Sequence, residues 1–202
     1  LGFKYEQKTE QIQGVLLNKD SGITNVPIIY GTRMVGGARV FVSTNGSGNE
    51  YLYVAYVLGE GQVDSYTQLL IDDIVVTPNS FAHGTRTGTS TSPYSDESRL
   101  ELQFFDGRDD QVASTLLKEA PGWTDDHRLR GLCYLAAKFR WKKIEDQEDA
   151  DNNPYGGGIP NVKVTVKGKK IFDLTAAYTP QNVGSFTGQT GSASALLNRR
   201  NE

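Results

Sequence analysis

The chain has 202 residues, 37% of them hydrophobic, which is enough apolar material for one compact domain or two small ones. Its formal net charge of −3 lacks the basic surplus that phosphate contacts demand of a nucleic-acid binder. No apolar run approaches the roughly 20 residues of a membrane helix, and no charged start precedes an apolar run, so neither a membrane segment nor a secretory signal is expected.

Twenty-two Gly, with many Ser, Thr, Asn and Asp between apolar runs, point to a turn-rich β chain. In chain order, a short apolar run, Gly14 to Leu17, comes before the polar turn Asn18 to Gly22. Val26 to Gly31 is extended, and Pro27 confines it to an edge or a strand start. Gly36-Gly37 punctuates a strand from Ala38 to Thr44. Asn45-Gly46-Ser47-Gly48 then predicts a hairpin into the strand Glu50 to Leu58. Tyr51 to Leu58 is apolar at both alternating sets of positions, so it should be covered on both faces.

A further strand, Gln68 to Val76, contains the acidic pair Asp72-Asp73. Residues Gly84 to Ser98 are polar and low in complexity, which predicts a mobile surface loop with nothing to drive burial. Arg99 to Phe104 alternates as a half-buried strand with Leu100, Leu102 and Phe104 inward. One short helix is predicted between a capping Asp110 and Pro121-Gly122, with Val112 and Leu116 on one face. Ala137, Phe139 and Trp141 alternate against Lys138, Arg140 and Lys142, and Val162, Val164 and Val166 against Lys163, Thr165 and Lys167. After Leu174 the chain becomes polar and rich in Gly, Ser, Thr and Gln. The expected fold is therefore mainly β, with antiparallel sheets forming a sandwich or barrel-like body, one short α-helix and extended arms. A β-rich region at 1–174, with its mobile loop at 84–98, precedes a polar arm or linker at 175–202.

Few stretches suggest chemistry. The single Cys133, inside the apolar run Leu132 to Leu135, reads as a buried structural thiol and fits assembly in a reducing cytosol. Asp146, Glu148, Asp149 and Asp151 could hold Ca²⁺, but counting from Asp149 puts Pro154 and Pro160 where a calcium loop needs Gly and Glu. A solvated acidic loop is the simpler reading. His127 follows Asp125 and Asp126, and the other histidine, His83, has no patterned acid nearby, so both read as surface or turn residues. Gly36-Gly37 and Gly156-Gly157-Gly158 lack the following Lys-Ser/Thr or helix of a phosphate cradle, and no Gly-x-Ser-x-Gly elbow occurs. Asn45-Gly46-Ser47 fits a glycosylation sequon but reads as a hairpin turn. Tyr51, Tyr53 and Tyr56 could stack on sugars, although core packing suits their apolar strand better. No catalytic, cofactor-binding or metal-ligating residue is assigned.

The ordered set of motifs is more specific than any one of them. Asn25-Val26-Pro27-Ile28-Ile29-Tyr30-Gly31-Thr32-Arg33-Met34-Val35-Gly36-Gly37 resembles the Pro-x-x-Tyr-Gly-x-Arg-x-x-Gly-Gly stretch of phage tail-tip attachment, or baseplate hub, proteins. The resemblance continues through Asn49 to Val54, Leu58-Gly59-Glu60-Gly61, Ile71-Asp72-Asp73, Gly122-Trp123-Thr124 and His127 to Gly131. It ends with Gly158-Ile159-Pro160-Asn161 and Val166-Lys167-Gly168-Lys169-Lys170-Ile171-Phe172-Asp173.

The resemblance implies a structural virion protein, assembled in the host cytoplasm, that closes the distal tail tube. It further implies homotrimers, neighbours among tail-tube and tip or fibre proteins, contact with passing DNA, and no catalytic residues in this region. On that reading the loop Gly84 to Ser98 and the tail after Leu174 are the assembly segments. Longer relatives continue past the last motif, so a short relative and a piece of a longer tip protein both stay open. Two other functions stay open as well. One is a receptor- or carbohydrate-binding β module of a tail fibre, which would show Tyr side chains along an exposed groove. The other is a cell-wall hydrolase, which would need a clustered acid–base set.

Overall fold

In a computed structural model of the chain, the described residues are 19–20, 25–141, 154–155 and 158–169. They all belong to one compact unit that ends at Lys169. The strands are β1 (Lys19–Asp20), β2 (Thr32–Gly36), β3 (Ala38–Asn45), β4 (Tyr51–Glu60), β5 (Ser65–Ile71), β6 (Ile74–Val76), β7 (Arg86–Thr87), β8 (Leu100–Asp106), β9 (Leu132–Arg140) and β10 (Val162–Lys167). One sheet has the order β1-β3-β4-β9-β8-β7 and the other β2-β10-β5-β6. All of their pairings are antiparallel except that of the short β1 with β3.

The two sheets share one apolar interior and so form a sandwich. Val54, Tyr56, Leu58, Leu102, Phe104, Leu135, Ala137 and Phe139 of the larger sheet meet Val35, Leu69, Ile71, Val162, Val164 and Val166 of the smaller. The alternation in 162–167 sets that meeting: its three valines are fully buried, while Lys163 and Thr165 are half-buried and Lys167 is exposed. The chain passes from the smaller sheet to the larger between β2 and β3 at Gly37. A Cβ there would lie 2.8 Å from Tyr56 Cβ, so the crossing needs glycine.

The opposite face of the larger sheet is covered by the connection from 107 to 131. Leu116, Leu117, Ala120 and Trp123 pack there on Tyr53, Ala55, Val57, Phe105, Tyr134 and Ala136. Central strands β4 and β9 are thereby buried on both faces, as the unbroken apolar run Tyr51 to Leu58 predicts. The hairpin at Asn45-Gly46 also forms, with Asn45 opposite Tyr51 and Gly46 at φ +88°. Among the described residues no helix is long and apolar enough to cross a membrane.

Three expectations need correction. The helix between Asp110 and Pro121 is absent; only the 3-10 turn Leu117–Glu119 is helical there. Side chains take up two of its backbone N–H groups instead. Gln103 Oε1 accepts the Ser114 hydroxyl at 2.6 Å and Leu116 N–H at 3.2 Å, and Ser114 Oγ accepts Leu117 N–H at 3.1 Å. Val112 is left 64% exposed, so it and Leu116 share no buried stripe. The strand expected over Gln68 to Val76 is a hairpin of β5 and β6. Asp72 and Asp73 form its turn at φ +48° and +66°, a conformation that Asp tolerates better than most residues. The segment Gly84 to Ser98 does contain a residue that drives burial, since Tyr94 is fully enclosed. It also carries β7, which pairs with β8, and the 3-10 turn Asp96–Ser98. The apolar run Gly14 to Leu17, the acidic cluster at 146–151 and the polar arm at 175–202 lie outside the described residues.

Candidate functional site

Four charged side chains distant in sequence close into a ring on the face covered by the 107–131 connection. Register builds most of it. Tyr53, Lys138 and Glu101 stand opposite one another across β4, β9 and β8, and Arg86 lies diagonal to Glu101 on β7. Glu119, in the 3-10 turn, completes the ring from above. Arg86 binds Glu101 at 2.8 Å and Glu119 at 2.7 Å, and Lys138 binds Glu119 at 2.7 Å and Glu101 at 3.5 Å. The Tyr53 hydroxyl donates to Glu119 at 3.2 Å, and the Lys138 ammonium sits 4.7 Å from the Tyr51 ring centre.

A hydrolytic carboxylate pair needs one acid held protonated near neutral pH. Glu119 moves the other way. Partial burial alone would raise its pKa, but hydrogen bonds from Lys138 and Arg86 outweigh that and hold it below the usual value. Against their own desolvation, Glu101 and Glu119 in turn push the Arg86 and Lys138 pKa values upward. With every charge matched, the ring suits fastening the connection to the sheet better than moving protons. Asn45 and Ser43 add to the fastening by donating to the Glu119 and Pro121 carbonyls.

The remaining sequence candidates fall into separate places. His127 accepts Thr124 N–H at 3.0 Å and stacks on Trp123, while Asp125 pairs with Lys118 at 2.8 Å, so no acid–base pair forms. His83, expected to lack an acid, has Asp106 at 2.7 Å, and Arg108 holds that carboxylate from its other side at 2.6 Å. Burial still lowers the His83 pKa on balance, with Arg108 adding to the effect and Asp106 opposing it. Cys133 is the buried thiol expected. Its Sγ donates to Gly59 O at 3.3 Å, and burial pushes its pKa up to about 12. Tyr53 and Tyr56 are buried and Tyr51 is half-buried, which is core packing rather than an exposed stacking groove. Among the described residues, no group of three or more His, Cys, Asp or Glu is placed to hold a metal ion.

The ordered motifs, by contrast, do come together. Pro27–Gly31, Leu58–Gly61, His127–Gly131 and Val166–Lys169 meet at one end of β5. Gly168 N donates to Gly31 O and Lys169 N to Ile29 O, both at 2.8 Å, and Gly61 N donates to Gly131 O at 2.6 Å. The approach is so close that a Cβ at Gly168 would overlap the Ile29 carbonyl, and one at Gly59 would lie 2.9 Å from Ile29 Cδ1. At the opposite end of β5, Ile71–Asp73 meets Gly158–Asn161. Asp72 N donates to Asn161 O at 2.9 Å, and Asn161 N donates to Asp72 Oδ1 at 2.8 Å. These motifs are backbone junctions, and at Gly59 and Gly168 one chain segment passes another too closely for a side chain. Ile28 and Tyr30 stand about half exposed at the first junction.

No family model matches the chain. Over 83% of its length it is 21% identical to the baseplate hub protein pb3 of Escherichia phage T5. The chain spans about one fifth of that relative, 21% of its length. Among solved structures, it is similar to a chain from the virion of a native gene transfer agent particle, with TM-score 0.48 and 16% identity. That similarity covers 91% of this chain and 36% of the other.

Proposed function

We propose that this chain is a structural module of a phage virion, acting in the baseplate hub that closes the distal end of the tail tube. The carrying observation is its similarity, over 83% of its length, to a phage baseplate hub protein. The junctions agree with that reading, because the motifs that resemble those of hub proteins are spent on backbone junctions at both ends of β5. In this proposal the module works as a homotrimer bound to tail-tube and tip or fibre proteins. Catalysis is left to other chains, and the ion ring holds the covering connection in place.

Incorporation tests the proposal. An epitope-tagged chain produced during infection should appear in purified tails, with gold-labelled antibody at the distal end. Label along the tube or on side fibres would refute the hub assignment. A chain missing from purified virions would refute the structural role altogether.

A further inference from the structure

Glu101 of the ion ring also lines a groove of about 320 Å³ at the edge of the larger sheet. The rest of its lining is mostly polar: Asn79, Thr89, Ser95 and Ser98, with Tyr94 and Leu100 among them. The walls are held before any ligand arrives. Asn79 N donates to Gly88 O at 3.0 Å, Pro78 bridges to Thr89, and Tyr94 anchors the segment with its ring 5.9 Å from that of Tyr155. A pre-formed site avoids the ordering cost of assembling one on binding.

The lining selects a chemical class. Thr89 Oγ1 is committed to Thr77 O, and Ser95 Oγ to Asp96. The amide of Asn79 and the hydroxyl of Ser98 are exposed and make no side-chain hydrogen bond among the described residues. Both Glu101 oxygens accept from Arg86, so this carboxylate is oriented and its charge already matched. An anion would find no spare cation here, and a cation would find the carboxylate taken. An apolar ligand would strip water from polar walls and return nothing. A neutral polyol meets every condition, since each hydroxyl both donates and accepts. The volume lies at the small end of ligand pockets.

We propose that this groove is a binding site for a neutral mono- or disaccharide. The inference goes beyond the structural reading above, and either can fail without the other. The test uses the full chain and saturation-transfer NMR with glucose, galactose, N-acetylglucosamine, lactose and chitobiose, and with glucuronate as the anionic control. At Gly88 a Cβ would meet only Asn79 Nδ2 and Leu100 O, each at 3.9 Å, so Gly88→Leu puts bulk beside the groove without a backbone clash. At least one neutral sugar should show transfer, and G88L should abolish it. Asn79→Ala should weaken binding about tenfold, the loss of roughly one hydrogen bond. Ser98→Gly suits the backbone at φ +53° and serves as a second variant should G88L not fold; it too should weaken binding. The proposal is overturned by silence from every neutral sugar, by transfer that survives in a folded G88L or is unchanged in S98G, or by equal binding of glucuronate.

Discussion

Gly168→Ala probes the junction where four motif segments meet. The added methyl would overlap the Ile29 carbonyl and approach Ile29 Cγ2 to 2.8 Å. Ile29 cannot easily retreat, because its carbonyl accepts from Lys169 N at 2.8 Å and its side chain is buried against Gly59. Overpacking of this kind costs about 1–3 kcal/mol. Loosening one of the two backbone hydrogen bonds at the site adds about 1 kcal/mol. The expected total is about 2–4 kcal/mol, which lowers the melting temperature of a domain this size by about 5–15 °C. Gly158→Ala is the matched control: nothing lies within 4 Å of its Cβ position and its backbone is not left-handed, so a change within about 0.5 kcal/mol is expected. Urea and thermal unfolding of both variants read the result directly. Equal stability of G168A and the wild type, or an equal loss in G158A, would refute the close-crossing account.

Three further outcomes are expected. Glu119→Gln should cost no more than about 1 kcal/mol, because the ring is about one-third exposed and screened by solvent, and the cost should shrink in high salt. The folded pKa of Glu119 lies below its ordinary 4.5, so its stabilisation is complete above that value and fades as pH falls through the folded pKa; unfolding curves of wild type and E119Q should converge there. His83 is depressed below 6.5, so the unfolded chain takes up its proton first. Stability should be level above pH 6.5 and decline as pH falls toward and through the folded value, with the imidazole titration followed by NMR. Cys133, fully buried with its pKa near 12, should resist thiol reagents until the chain unfolds; labelling of the native protein at the rate of a free thiol would contradict its placement.

Much of the sandwich is legible in the sequence because local signals and tertiary need coincide. Asn45-Gly46 supplies a left-handed turn residue where β3 meets β4, and the valines at 162, 164 and 166 alternate as a half-buried strand must. The expected helix failed where they diverge: Gln103 on β8 and the Ser114 hydroxyl, outside its apolar pattern, bind the Leu116 and Leu117 N–H groups that a helix would have used. A single aromatic in a Ser/Thr-rich stretch hid the burial of Tyr94. The ion ring was invisible for another reason. Arg86, Glu101, Glu119 and Lys138 each look like ordinary solvated positions, and only the register of β7, β8 and β9 with the 3-10 turn packed over them brings them together. His83 and Asp106 meet by the same means, through the parallel bridge of His83 to Phe104.

A cryo-electron reconstruction of the assembled tail tests the central claim most directly. The account predicts three copies of the sandwich around the axis at the distal end of the tube, beneath the last tube ring. Density for the sandwich in side fibres, along the tube wall or nowhere in the particle would contradict it.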